Sequence, residues 1–447
     1  MKYTSLTLII YITMSYPCMG IADIGIADID ITTYPDISGA RNVGMGYASK
    51  GLADDSTSMI INPGGIIDCE TNEFSAVYNF KFVSQNISYK VYPESDSKNN
   101  CFDSNLKQLS LVFPIKWNQT NMSLGFSYLH VFDFLNEWKF PLLDSNNILS
   151  TQEKWVYRQS GQITTISITL GIEVLEYLSM GVTCNFWQNS IMKNTWEQKY
   201  QMKGNGTFKI DNSNMTYRLD KIMKYNFKGF NANFGLLYKL NYQFSLGMVL
   251  KTPFTADISY QYQRQDWFDS EKYKPSLKMR NDKLRMPLSY GIGFLYRYSD
   301  NFFITGDFYQ VLWNDFIYKE NNVKEISPIN KLPVSESNIG RTNHVRLGCE
   351  YLLYNELQNE KGYSIPARFG IFYDPAPDEN HPDDRYGFSI GVGFTKLNKY
   401  SIDCAYQFTY ANNISESKDK VFGFSEDLNE HQLFLSIIYY FDLFKKQ

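Results

Sequence analysis

The sequence predicts an all-β protein, a transmembrane antiparallel β-barrel of about fourteen strands with an N-terminal hatch plugging its lumen. Three observations predict it. Stretches of alternating apolar and polar residues recur from Glu73 to Phe441, the connections between them alternate short and long, and the segment before them, residues 21–72, breaks the pattern.

The first element is an export signal over residues 1–20. Lys2 supplies the positive end, Leu6 to Met14 the short apolar core, and Cys18-Met19-Gly20 or Gly20-Ile21-Ala22 a small-x-small cleavage site. Cys18 lacks the Leu and small residues that precede a lipidated cysteine, so ordinary cleavage is expected. The cysteines beyond it, Cys69, Cys101, Cys184, Cys349 and Cys404, are odd in number and widely spaced, which argues against a disulfide framework.

The remaining chain has no apolar run of the ~20 residues that a membrane helix requires, and its mean hydropathy is −0.35. Helical spans are thereby excluded, but a barrel is not. A barrel strand needs only about ten residues, apolar toward lipid and polar toward the lumen, so its average looks soluble. The 34 Tyr and 32 Phe fit that reading. A net charge of −4 spread over 447 residues gives no reason to expect nucleic-acid binding.

The second element, residues 21–72, is rich in Gly, Ala, Ser and Asp and contains Pro35 and Pro63. It has the size of a plug for a barrel of this width.

The third element, residues 73–447, is the barrel. Its period is two: Ile166, Ile168, Leu170 and Ile172 oppose Thr165, Ser167, Thr169 and Gly171, and Ile402, Cys404, Tyr406 and Phe408 oppose Ser401, Asp403, Ala405 and Gln407. Strands are expected near 74–90, 105–117, 120–134, 158–175, 177–191, 222–240, 242–261, 284–299, 301–315, 342–355, 363–374, 385–397, 400–411 and 430–441. Tight turns at Asn118-Gln119, Glu176-Tyr177, Asn241-Tyr242, Ser299-Asp300-Asn301 and Asn398-Lys399 are interleaved with long segments at 135–157, 192–221, 262–283, 316–341 and 412–429. Short turns on one rim and long loops on the other are the mark of an outer-membrane barrel. A soluble sandwich has no reason to segregate them.

The hatch also carries motifs. Gly39-Ala40-Arg41, Gly44-Met45-Gly46, Leu52-Ala53-Asp54-Asp55 and Asn62-Pro63-Gly64-Gly65 resemble the N-terminal hatch of the FadL/TodX (OmpP1) family of outer-membrane transporters for long-chain fatty acids and aromatic hydrocarbons. Lys251-Thr-Pro-Phe254, Pro366-Ala-Arg-Phe-Gly370, Tyr373-Asp-Pro-Ala-Pro377 and Pro382-Asp-Asp-Arg385 resemble its later strand motifs, in the family's order. Gly64 stands where the family has Ala, and the long segments 192–221 and 262–283 carry no family motif.

The resemblance implies transport of a small hydrophobic ligand through the outer membrane: capture at extracellular loops, rearrangement of the hatch, then passage through or out of the barrel. Arg41, Asp54, Asp55 and Asn62 would anchor the hatch to the lumen wall, with Gly39, Ala40, Gly44, Gly46, Pro63 and Gly65 shaping its backbone. Capture would fall to the segment from Arg264 to Arg285, where Lys278, Arg280, Lys283 and Arg285 are interleaved with Trp267 and Phe268. Plain contact of that segment with anionic lipopolysaccharide is the competing reading. Lys251 and Phe254 flank Thr252-Pro253, where a proline removes a ladder donor and could open the wall sideways.

No catalytic residue, metal or cofactor is expected. His130, His344, His381 and His431 form no nucleophile arrangement in sequence, and the acidic group Asp374, Asp378, Glu379, Asp383 and Asp384 reads as a solvated proline-rich turn. A monomer surrounded by outer-membrane lipid is expected. The alternative function is a barrel of the same superfamily serving as an adaptor or shuttle in protein secretion.

Overall fold

A computed structural model describes residues 39–145, 149–188, 194–320, 324–355, 362–416 and 423–442. The expected signal peptide, and residues 21–38 of the expected hatch, lie outside the described residues.

Fourteen antiparallel strands close into a barrel, the first, Asn72–Tyr89, pairing with the last, Phe424–Phe441. Neighbours in sequence are neighbours in the wall. The short rim turns as expected: Asn118 and Gln119 take φ of 46° and 70°, the left-handed pair of a two-residue hairpin turn that matches strand twist. No helix among the described residues is long and apolar enough to cross a membrane; the crossing is made by strands.

Burial is reversed from that of a soluble sheet. In the membrane-crossing part the large apolar side chains, such as Ile168, Leu170, Phe234, Met248 and Ile292, are exposed, while Ser167, Thr169, Asn233 and Asp307 are buried. The outside is therefore the lipid face and the inside a polar lumen.

Three of the five expected long loops are corrected to strands over most of their length. Segment 135–157 contains Asn136–Ser145 and the start of Leu149–Leu175; 192–221 contains Thr195–Phe208 and the start of Asn214–Lys239; 262–283 contains the ends of the hairpin Phe254–Phe268 and Ser276–Met286. Strand Asn214–Lys239 has 26 residues, where about ten suffice to cross a bilayer. The surplus rises above the membrane as a continuation of the wall.

The pattern inverts at the boundary without losing its period. Along Asn214–Lys239 the even-numbered side chains face out throughout, Arg218, Lys224 and Lys228 above, then Phe230, Phe234 and Tyr238 below. The odd-numbered ones face in: Tyr217, Met223, Tyr225 and Phe227 above, Asn231, Asn233 and Gly235 below. Strand Leu149–Leu175 repeats this, with Trp155 and Tyr157 buried and Lys154 and Arg158 exposed above the Ile168 belt. Water surrounds the upper wall, so its apolar residues turn inward; lipid surrounds the lower wall, so they turn outward. A search for loops by loss of amphipathicity fails here because the amphipathicity changes sign instead of vanishing.

Candidate functional site

Two zones stand one above the other inside this wall. The lower is polar and receives residues 39–71. Asn62 shows how the segment is seated: its Nδ2 donates to Leu236 O of the wall at 3.0 Å and to Lys50 O at 2.8 Å, and its Oδ1 accepts from Gly64 N at 3.1 Å. Ala40 N donates to Ser436 Oγ and Gly46 N to Ser389 Oγ, while the Ser49 and Lys50 amides and Lys50 Nζ all reach Asp307. In return Thr183 Oγ1 and Ser179 Oγ donate to Met59 O and Gly64 O. These partners come from strands far apart around the wall. The irregular backbone of the segment thus finds donors and acceptors that regular structure would otherwise supply.

An ion ladder crosses the same zone. Arg41 lies 2.6 Å from Asp54 within the segment and 3.2 Å from Glu350 on the wall; Glu350 lies 2.6 Å from Arg368, which lies 2.6 Å from Asp403. Asp55 accepts from Thr57 N at 2.8 Å. Burial pushes its carboxyl above the usual range, and Arg41 pulls against that. Of the residues expected in the hatch, Arg41 and Asn62 reach the wall, whereas Asp54 bonds to Arg41 and Asp55 to Thr57 within the segment.

Close approach depends on glycines of the wall. A Cβ at Gly181 would stand 2.1 Å from Pro63 O, and one at Gly235 2.2 Å from Asn62 Oδ1. Gly46 takes φ of 65°, which a β-carbon disfavours. Beneath the segment a recess of about 530 Å³ opens beside Asp68, Cys69, Glu173, Tyr177 and Lys239.

The upper zone is a buried apolar cluster within the raised wall. It includes Trp138, Trp155, Trp187, Trp196, Trp313 and the methionines Met202, Met215 and Met223. Trp187 stacks on Phe254 at 5.7 Å between ring centres, Trp196 on Tyr225 at 4.7 Å, and Tyr157 meets Tyr200 at 4.7 Å. Nothing in the alternation alone distinguishes this cluster from a lipid belt. The signal that could have found it is the match of Trp and Met on one parity with Lys and Arg on the other, in segments 149–158 and 214–228.

The residues expected to capture ligand do not converge. Arg280 faces in, paired with Asp282 at 2.5 Å and with Glu320, its guanidinium 4.2 Å from the centre of the Tyr260 ring. Lys283 and Arg285 face out toward Asp257 and Asp315. Lys278 is exposed, Trp267 stacks under Arg218, and Phe268 is half-buried. Phe254 and Phe268 both pack on the apolar cluster. Lys251 is buried at the top of the polar zone and pairs with Ser289. Above it pairing lapses across Thr252-Pro253 and Pro287-Leu288 and resumes at Phe254 with Met286. On its other side Thr252 remains bonded to Ala232 in both directions.

A third cluster links the zones. Trp313 Nε1 donates to Thr342 Oγ1 at 2.9 Å, Thr342 Oγ1 lies 2.8 Å from His344 Nε2, and His344 Nδ1 lies 3.2 Å from Asp374, which Arg346 also clasps. The hydroxyl–imidazole–carboxylate order is that of a nucleophile relay, which the sequence reading did not foresee. Thr342 is fully buried and already accepts from Trp313, so the chain is a structural tie. The acidic group around it disperses: Asp374 serves this tie, Asp384 accepts from Tyr373, and Asp383 accepts from Ser415 N.

The family model BamG matches residues 39–377. No curated protein matches the sequence. Among solved structures, a FadL homologue from Pseudomonas aeruginosa superposes with a TM-score of 0.60 at 13% identity, covering 92% of this chain and 100% of that one. The toluene transporter TbuX of Ralstonia pickettii gives 0.53 at 12% identity over 90% and 98%. The Pseudomonas putida toluene transporter TodX gives 0.54 at 11% identity over 91% and 99%. At such identities the likeness is one of fold.

Proposed function

This chain is an outer-membrane β-barrel of the BamG family, and from that premise we propose that it carries small hydrophobic molecules across the outer membrane. The observation that supports the proposal is the apolar zone enclosed in the raised wall. A porin for polar solutes has no use for an aromatic and methionine interior facing away from water at the entrance to its lumen.

In this reading the upper zone is the trap. Burying CH₂ groups at about 0.8 kcal/mol each gives a sixteen-carbon chain a ceiling of roughly 12 kcal/mol. Association costs of about 4–15 kcal/mol cancel much of that, which leaves binding weak enough for release. Met202, Met215 and Met223 are unbranched and repack around a guest. Residues 39–71 serve as the hatch, held by Arg41, Asn62 and the glycine seats. The tie from Trp313 through Thr342, His344 and Asp374 to Arg346, whose guanidinium lies 5.3 Å from the Tyr47 ring centre, joins trap to hatch. Release proceeds either past the hatch or sideways where pairing lapses beside Pro253 and Pro287.

Uptake of radiolabelled oleate and of toluene by cells with and without the gene tests this. Faster uptake of at least one is expected; equal rates for both overturn it.

A further inference from the structure

Within the apolar zone three polar atoms are buried without a hydrogen-bond partner at one place: Trp196 Nε1, Gln159 Nε2 and Asn136 Oδ1. Gln159 sits directly across from Asn136 on one side and from Gln198 on the other, and Trp196 lies one diagonal step further, opposite Gly161. Trp196 and Gln159 are 1% and 2% exposed. Native interiors pair such groups, because an orphaned buried donor forfeits its hydration for nothing.

The place is built and held. Asn194 accepts from Thr164 N and Thr164 Oγ1 at 2.9 and 2.7 Å and donates to Thr164 O at 2.7 Å, while its carbonyl accepts from Phe227 N. That clamp fixes the backbone two residues before Trp196. Gly161, at φ of 131°, lets the strands close up, since a Cβ there would stand 2.4 Å from Trp196 Cα. The indole is then wedged between Tyr225 and Phe134. Gln159 is oriented by the Tyr157 hydroxyl donating to its Oε1, which leaves Nε2 free to point elsewhere.

We propose that Trp196, Gln159 and Asn136 bind the oxygen-bearing head group of an amphiphile whose hydrocarbon body lies among the surrounding apolar side chains. Two donors meet an acceptor oxygen and one acceptor meets a hydroxyl hydrogen, the pattern of a carboxylic acid; an alcohol or phenol engages part of it. A plain hydrocarbon leaves all three atoms unpaired and is disfavoured for that reason. The proposal rests on the transport reading and narrows its substrate to hydrophobic acids and alcohols.

The test compares radiolabelled decanoic acid with decane, partitioning onto the full chain in detergent micelles over empty micelles. The natural protein should prefer the acid by about tenfold or more. W196F, which keeps the ring and its stacking, and Q159L should each cut acid binding by about tenfold and leave decane within twofold. Equal binding of both ligands by the natural protein overturns the head-group site while transport stands, and needs no variant to fold. Acid binding that survives both substitutions does the same. Binding of neither ligand overturns the transport reading itself.

Discussion

The Nε of Arg41 donates to Glu350 Oε2 at 3.2 Å across 309 residues of sequence. Glu350 is shared with Arg368, so one carboxylate answers for a guanidinium on the inner segment and another on the wall. Replacing it with alanine leaves Arg368 buried with Asp403 and Arg41 with Asp54. Removing one partner of a buried pair costs about 3–5 kcal/mol. E350A should lower the melting temperature in detergent and raise single-channel conductance in planar bilayers. Natural conductance in the variant argues against Arg41 holding a hatch.

The seat beneath Pro63 allows a sterically clean test. A valine at position 181 places its Cβ 2.1 Å from Pro63 O, so the segment must move. Overpacking of this kind costs about 1–3 kcal/mol. G181V should expose residues 52–66 to added protease, whereas G340A, built into open space, should leave the digestion pattern unchanged.

Asp374 governs the pH response of the extracellular tie. Burial alone would raise its pKa, but Arg346 and the hydrogen bond from His344 outweigh it and hold the value at about 2. A depressed carboxylate stabilises the fold above its unfolded value near 3.9 and ceases to do so as pH falls through the folded one; the shift corresponds to on the order of 2 kcal/mol. Amide exchange in 374–385 should stay slow at pH 5 and quicken between pH 4 and pH 2. In D374N that step should be absent.

The lipid belt predicts a depth dependence on one face of one strand. Phe234 and Phe230 both face out, with Phe230 next to the charged residues above. A lysine near the bilayer midplane costs about 2–4 kcal/mol and one near the interface about 0–1 kcal/mol. Urea titration of folding into lipid vesicles should therefore rank F234K well below F230K. Equal losses would place the boundary elsewhere.

The sequence makes the barrel legible because period-two alternation and segregated turns survive in single residues such as Ile168 and Asn118. The importance of Arg41 and Asn62 is legible through motif resemblance alone; no local pattern says that Arg41 meets Glu350. The capture segment divides between the two faces of the wall for a physical reason. A run of bases and aromatics from Trp267 to Arg285 looks like one rim, but in a strand alternate residues leave on opposite faces, so Arg280 and Lys283 never share a surface. The Trp196 and Gln159 orphans are invisible in sequence, since being unpaired is a property of three-dimensional surroundings.

The change of polarity between Lys228 and Phe230 also bears on how the molecule is made. A strand that slides by one residue against its neighbour would hand aromatic rings to water in its upper half and amides to hydrocarbon in its lower half. Two unlike solvents thus proofread the same alignment from opposite ends, and an error tolerated by one is rejected by the other.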